Sequence, residues 1–349
     1  MKFLDLFAGI GGFRLGMERA GHECVGYVEI DKFARKSYQA IHDTEGEWTR
    51  EDITKVTDDE WRELCGTVDI ICGGFPCQAF SIAGKRLGFE ETRGTLFFEI
   101  ARAAKQIQPR YLFLENVKGL LSHNKGETFA TILTALDELG YDAEWRVLNS
   151  KDFGVPQNRE RVFIVANLRG SGGREIFPFG GENRTLNKND IKAINDSKKV
   201  REQLKFDSLN RFYDVSGIAP CLDTMQGGGR EPKIAITIRE ATLKGYAEAF
   251  PGDSVNISHP SSKTRRGRVG KQVANTLLTG EEQAVVTEQY RIRKLTPREC
   301  WRLQGFPDWA FDRAAEVNSN SQLYKQAGNS VTVNVIENIA KLFKEDAKK

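Results

Sequence analysis

The chain has 349 residues, 40% of them hydrophobic, with 51 Lys and Arg against 48 Asp and Glu for a formal charge of +3; that suits one large α/β core plus a smaller lobe, and is too balanced to declare a nucleic-acid partner by composition alone. The cysteines at 24, 65, 72, 77, 221 and 300 form no Cys-x-x-Cys pair and the four histidines are scattered, which argues against zinc and a disulfide framework. An acid at the fifth position and no run of eighteen apolar residues argue against a signal peptide and a membrane span, so the expectation is a reduced, soluble, cytoplasmic protein.

Apolar runs alternate with helical patterns over the first part of the chain. Strands are predicted at Phe3–Phe7, Cys24–Glu29, Asp69–Cys72, Tyr111–Leu114 and Val162–Ala166, with helices between them at Phe13–Ala20, Asp31–Ile41, Leu96–Ile107 and Thr128–Leu139. Strands separated by helices indicate βαβ units and a mostly parallel, Rossmann-like sheet, here a first domain over residues 1–168. From 169 to 290 the texture turns Gly-, Asn- and Lys-rich with short strands such as Lys233–Ile238, which predicts a second, smaller, irregular domain. Helical signals resume in 291–349. Thr296-Pro297-Arg298-Glu299 carries a capping threonine, proline at the first helical position and glutamate three residues on. Val331–Phe343 again has helical apolar spacing, placed most simply against the first domain's sheet.

Between the first strand and the first helix, Asp5-Leu6-Phe7-Ala8-Gly9-Ile10-Gly11-Gly12 supplies glycines where backbone approaches a ligand at a helix N-terminus. Glu29 closes the second strand twenty residues after Gly9, where an acid can take both ribose hydroxyls of an adenosine. Asp52 and Ile53 suit the adenine amino group and its flat face. A dinucleotide-binding dehydrogenase is the competing reading, but its third glycine would fall at Arg14, so an adenosine without phosphates fits better. A plain turn would use the same glycines.

Phe75-Pro76-Cys77-Gln78 sets a thiol on a turn just after a strand, beyond the carboxyl end where ligands bind parallel sheets. A lone cysteine is ordinarily a small buried hydrophobe. Here it has company, in order: Glu115-Asn116-Val117, Gln157-Asn158-Arg159-Glu160-Arg161 and Gly328-Asn329-Ser330. With the Gly-rich loop and Glu29, this ordered set resembles the DNA cytosine-5 methyltransferases over residues 1–168 and about 291–343, but not over the lobe between.

The resemblance implies methyl transfer from S-adenosyl-L-methionine to carbon 5 of cytosine in a specific sequence of double-stranded DNA, with the target base flipped from the stack. Carbon 5 is a poor nucleophile until a thiolate adds at carbon 6. Cys77 is the implied attacker, its ionisation helped by Arg159 or Arg161. Glu115 is implied to hold and protonate the ring's N3, and Arg161, with Arg159 beside it, to orient the ring through O2 and grip a phosphate. No residue stands out as the base for the carbon 5 proton. The implied cofactor contacts are Phe7, Gly9, Gly11, Gly12, Glu29, Ile30, Asp52, Ile53, Gly74, Pro76, Leu96, Asn329 and Ser330, the last two on the methionine part. Ile30 stands where some relatives carry tryptophan. The stretch from Gln78 to Gly94 reads as a polar lid, with Gln78, Ser81, Lys85, Arg86 and Arg93 directed at DNA.

By the same resemblance, the middle lobe recognises the target. Lys263, Arg265, Arg266, Arg268 and Lys271 form a basic run without an acid, suited to phosphates or to a solvated loop. Gln226–Arg230 offers a second approach to DNA through Arg230, or a turn. Thr276-Leu277 fits the Thr-Leu pair with which the family closes this lobe, so Thr276 is a DNA candidate; a weak upstream echo has Cys221-Leu222 instead. A tRNA cytosine-5 methyltransferase would share most of the catalytic set and is the alternative. An exocyclic-amine methyltransferase would need an Asn/Asp-Pro-Pro-aromatic motif that this chain lacks. A non-enzymatic DNA-binding module would have no use for Cys77, Glu115 and Arg161 together. The expectation is a compact, monomeric modification enzyme of bacterial or phage type, with a separate endonuclease partner left open.

Overall fold

Alternation of apolar residues makes the first strands two-faced, and the computed structural model shows both faces covered. It describes residues 1–76, 96–172, 176–177, 212–214, 233–259, 262, 264–280, 282–289 and 291–343. Cys77, Gln78, Ser81, Lys85, Arg86, Arg93, Cys221, Arg230 and Lys263 lie outside the described residues.

The chain divides into two compact units: Met1–Phe177, Thr276–Glu281 and Leu295–Lys349 in the first, Pro178–Asn275 and Glu282–Lys294 in the second. The sequence placed boundaries at 168/169 and 290/291, without the short return to the first unit at 276–281.

The first unit is built on strands β1 (Lys2–Leu6), β2 (Glu23–Val28), β3 (Trp48–Arg50), β4 (Ile70–Gly74), β5 (Tyr111–Val117), β6 (Tyr141–Asn149) and β7 (Glu160–Leu168), in the order β3-β2-β1-β4-β5-β7-β6. Neighbours from β3 to β5 are parallel. β7 runs antiparallel to both β5 and β6, because only the short turn Ser150–Phe153 and a few more residues link β6 to β7, too few for a crossover helix. The sheet is thus mostly parallel and Rossmann-like, as expected. The strand order reverses at β1, the place where such sheets bind ligands.

Helices α1 (Gly12–Arg19), α2 (Lys32–Ile41), α3 (Asp58–Arg62), α4 (Leu96–Ile107) and α5 (Glu127–Glu138) follow, then α6 (Pro297–Leu303), α7 (Asp308–Val317), α8 (Asn320–Asn329) and α9 (Val333–Ala340). α4 keeps the bounds read from the sequence, and α1, α2 and α5 start or end within one residue of them. β3 and β6 were not anticipated. β3 has three residues, and β6 is an edge strand carrying Asp142, Glu144 and Arg146.

Leu4, Leu6 and Ile71 face one way and pack on α4 and α5 through Phe97, Ile100, Ala104, Ile132 and Leu136. Phe3, Ile70 and Cys72 face the other, with Phe13 and Met17 of α1 and Val335, Ile336 and Ile339 of α9. The C-terminal helix therefore completes the layer opened by the N-terminal one. Gly16 permits it, since a Cβ there would stand 2.6 Å from Ile336 Cβ. The capping box at Thr296 is present: Glu299 N donates to Thr296 Oγ1 at 3.3 Å, and Thr296 N to Glu299 Oε2 at 2.8 Å.

The second unit contains, among its described residues, a sheet of β8 (Phe212–Asp214), β9 (Lys233–Arg239) and β10 (Tyr246–Ala249) and another of β11 (Ser254–Asn256), β12 (Val269–Gly270), β13 (Gln283–Val286) and β14 (Ile292–Lys294). Among the described residues an apolar cluster forms from Ile238, Ala249, Val255 and Val286.

Candidate active site

The loop after β1 is shaped by three left-handed residues, Phe7 (φ 55°), Gly9 (φ 57°) and Gly11 (φ 84°). For Phe7 that conformation costs about 1–3 kcal/mol, so the surroundings must hold it. Ala8 N donates to Val28 O at 3.0 Å, and Gly11 N to Ala8 O at 2.9 Å. Gly12 opens α1 so close to Ser330 and Val331 that a Cβ would stand 2.8 Å from Ser330 Oγ. Gly11 faces elsewhere: a Cβ there would run into His42 Nε2.

A cavity of about 500 Å³ opens at the carboxyl ends of β1, β2, β4 and β5, within the range of small-molecule sites. Phe7, Gly9, Gly12, Glu29, Ile30, Asp52, Ile53, Gly74, Pro76, Leu96, Asn329 and Ser330 all line it, as do Glu115, Arg159 and Arg161. Gly11 is not among the lining residues; it precedes α1 in the left-handed conformation.

Glu29 is held rather than free. Gly9 N donates to its Oε2 and Asp31 N to its Oε1, each at 2.7 Å. Burial raises its carboxyl above the usual range, and those two amides pull it back. Asp52 caps the turn Ile53–Lys55 by accepting from Thr54 N at 3.0 Å and Thr54 Oγ1 at 2.7 Å, bonds that lower its carboxyl. An adenosine fits this chemistry: an oriented acid for two hydroxyls, a second acid, and the apolar Ile30 and Ile53. Ile30 is 68% exposed, a free apolar face at the mouth.

At the far end, Glu115 is 8% exposed and its Oε1 lies 3.0 Å from Arg161 Nε. Burial raises the Glu115 carboxyl, and Arg161 and Arg159 oppose the rise. Gly74 leaves it room, since a Cβ there would stand 3.2 Å from Glu115 Oε2. Asn116 Nδ2 donates to Phe75 O at 2.8 Å, so the end of β5 fixes the chain immediately before Pro76 and Cys77.

Arg159 departs from the reading that paired it with Arg161 on a phosphate. It is 3% exposed and donates to Leu277 O at 3.3 Å, Gly328 O at 3.2 Å and Ser330 O at 2.8 Å. Burial, with Arg161 beside it, pushes its guanidinium down to about 9. Its fork is spent on the cavity wall. Ser330 directly follows α8, and its Oγ donates to Val331 O at 3.1 Å.

Thr276 Oγ1 donates to Asn158 O at 2.8 Å, which engages it inside the first unit. In the second unit Arg265 Nη1 donates to Ser258 Oγ, and Arg266 is exposed. Arg268 is corrected from the basic run to a structural role: 4% exposed, it donates to Asn256 O and Arg239 O.

Sequence reasoning missed Asp31, which caps α2 through Phe33 N and Ala34 N and meets Lys325 Nζ at 2.7 Å across the lining. Lys325 stands three residues before Gly328, and its helical spacing from the glycine motif was the available signal. No group of metal-binding side chains and no helix long and apolar enough to cross a membrane occurs among the described residues.

A switch-point cavity with the held acid Glu29 at one end and a buried Glu–Arg pair at the other is the arrangement of a Rossmann-like α/β enzyme. The family model described as C-5 cytosine-specific DNA methylase matches residues 1–345. The chain is 35% identical over 346 residues to the type II methyltransferase M.HhaI of Haemophilus parahaemolyticus, covering 97% of this chain and 93% of that one. It is 38% identical over 343 residues to M1.ScrFI of Lactococcus lactis subsp. cremoris (97% and 77% covered), and 32% identical over 428 to the orphan methyltransferase M.SPRI of Bacillus phage SPR (98% and 97%). The solved structure of a DNA modification methyltransferase encoded within an E. coli prophage matches with a TM-score of 0.59 at 21% identity, covering 98% of both chains. Spodoptera frugiperda DNMT2 matches at 0.55 and 19%, also over 98% of both; likenesses this distant speak to the fold alone.

The chain belongs to the C-5 cytosine-specific DNA methylases, and its activity is methylation of DNA at carbon 5 of cytosine. The tRNA alternative has less support.

Proposed function

We propose that the cavity takes S-adenosyl-L-methionine, and that Cys77, Glu115 and Arg161 methylate a flipped cytosine in a specific sequence of double-stranded DNA. The observation that carries this reading is the Glu115–Arg161 pair opening into the same cavity as Glu29, with Pro76, one residue before Cys77, in its lining. When bound, the cofactor supplies an electrophilic methyl group. Glu29 takes the ribose hydroxyls, Asp52 the adenine amino group, and Asn329 with Ser330 the methionine part.

The Cys77 thiolate adds to cytosine carbon 6, and the ring's electron pair moves so that carbon 5 becomes nucleophilic. Glu115, its carboxyl raised by burial and opposed by the two arginines, holds N3 and supplies a proton there as negative charge builds. Arg161 keeps that carboxyl in place and reaches towards the ring's O2. After methyl transfer, a base takes the carbon 5 proton, the double bond re-forms and Cys77 departs as thiolate. Arg159 shapes the wall rather than the substrate. DNA contacts are proposed for Gln78, Ser81, Lys85, Arg86, Arg93, Arg230, Arg265 and Arg266. The enzyme acts as a cytoplasmic monomer, and any cognate endonuclease acts separately.

The test is transfer of labelled methyl from S-adenosyl-L-methionine to unmethylated bacterial DNA, with tRNA in parallel, Cys77→Ser alongside and modified bases identified by mass spectrometry. The reading requires 5-methylcytosine in DNA from wild type only. Unlabelled DNA beside modified tRNA would overturn it.

A further inference from the structure

Residues 276–281 belong to the first unit although the chain on either side of them belongs to the second. They are a tether, and the bonds that hold its Leu277 are buried. Leu277 N donates to Gln157 Oε1 at 3.1 Å, and Leu277 O accepts from Arg159 at 3.3 Å. The next residues press on the cavity wall: a Cβ on Gly328 would clash with Leu278 O and stand 2.7 Å from Thr279 N. Gly328 lines the cavity, whereas none of residues 276–280 does.

Tether and wall meet again in Gln304, which is 0% exposed and uses both ends of its amide. Its Oε1 accepts from Thr332 Oγ1 at 2.8 Å and from Gln157 Nε2 at 3.2 Å. Its Nε2 donates to Ala327 O at 2.7 Å and to Ser330 O at 3.3 Å. One buried side chain thus joins the wall residue Ser330 to the glutamine that holds Leu277. A fully satisfied buried network fixes one arrangement of the segments it joins, and losing one member leaves the others unpaired.

We infer that Gln304 is a positioning residue that locks the cavity wall to the tether, so that occupancy of the cavity and order of the tether are coupled. The inference rests on the reading of the cavity as the methyl-donor site. A ligand seated against Gly328, Asn329 and Ser330 fixes the end of α8. Through Gln304 and Gln157 it also fixes Leu277, from which the chain leaves for the second unit. By linkage, whatever orders the tether tightens donor binding by the same factor, about 5- to 150-fold for couplings of ordinary size.

The experiment is amide hydrogen exchange of the full chain, read by mass spectrometry on peptides covering 276–280 and 326–333, with and without S-adenosylhomocysteine, plus calorimetric binding of the same ligand. The variants are Gln304→Met, of similar length but without hydrogen bonds, and Ile339→Val, a core change away from the network that controls for lost stability. In wild type and Ile339→Val the ligand slows exchange in both peptides. In Gln304→Met, protection of 276–280 is lost and ligand affinity falls about tenfold, as expected for removal of a coupling of ordinary size. Should Gln304→Met not fold, Thr332→Val, which removes one of the four bonds, shows a partial loss of both effects. Persisting ligand protection of 276–280 in the variant, or none in a wild type that binds, would overturn the coupling and leave the cavity reading standing. A wild type that does not bind at all brings down the cavity reading itself.

Discussion

Arg161 reaches Glu115 on the diagonal between two antiparallel strands: Arg161 is registered with Val117, Glu115 with Phe163, and the side chains close to 3.0 Å. A bond made this way depends on the guanidinium's planar reach. Arg161→Ala should lower kcat/KM for methyl transfer by about a hundredfold or more, and Arg161→Lys should recover only part of it. Steady-state kinetics on unmethylated DNA decide it, and a wild-type rate from Arg161→Ala would remove the pair from the chemistry.

Burial raises the Glu115 carboxyl above its ordinary 4.5, with Arg161 and Arg159 opposing. A raised folded-state value means the native state holds the proton more tightly. Its contribution to stability is complete below the unfolded value and lost as pH rises through the folded one. The stability of wild type relative to Glu115→Gln should therefore fall as pH climbs from 4.5 through the mildly acidic range. Urea titrations of both proteins at fixed ionic strength measure it; a difference that grows with pH contradicts the assignment.

Arg159 donates to three carbonyls from a site 3% exposed. Arg159→Met strips all three of a charged donor, at roughly 1.5–3 kcal/mol for each such bond before relaxation. Unfolding should therefore cost about 2–4 kcal/mol less, less than simple addition because neighbours relax. A variant with unchanged stability but weakened DNA affinity would return Arg159 to the phosphate role.

Gly11 combines φ 84° with His42 in the space a Cβ would need. Gly11→Ala should destabilise by about 1–3 kcal/mol. Adding His42→Ala should recover the steric share and leave the backbone strain, and a double-mutant cycle by thermal unfolding separates the two.

Glu29 is oriented by Gly9 N and Asp31 N, so its loss removes an acceptor already in place. Glu29→Ala should weaken binding of the methyl donor by about 10- to 100-fold, the scale of one or two charged hydrogen bonds. Calorimetry without DNA reads this directly, and undiminished affinity would move the ribose elsewhere.

Much of the site was legible because its parts are local. The glycines before α1, the acid ending β2, the acid ending β5 and the capping box at Thr296 each follow from spacing along a few residues. Two strands escaped: β3 is three residues long, and β6, with Asp142, Glu144 and Arg146, has the polar texture of an edge. Arg159 and Arg161 look equivalent in sequence, two apart on either side of the first residue of β7. One fills a wall and the other meets a carboxylate, because residues from distant parts of the chain surround them differently.

By itself, then, the sequence determined the βαβ order, the glycine loop, the helix caps and the order of the catalytic motifs, since propensity, periodicity and capping act over one or two turns of chain. Only the tertiary structure decided that Gly12 touches Ser330, that Arg159 and Gln304 are spent on carbonyls, that Arg268 is interior, and that 276–281 return to the first unit. Those outcomes turn on contacts between residues far apart in the chain, such as Arg159 and Ser330, 171 positions apart. No local pattern encodes such a meeting; the packing of the sheet and its covering helices does.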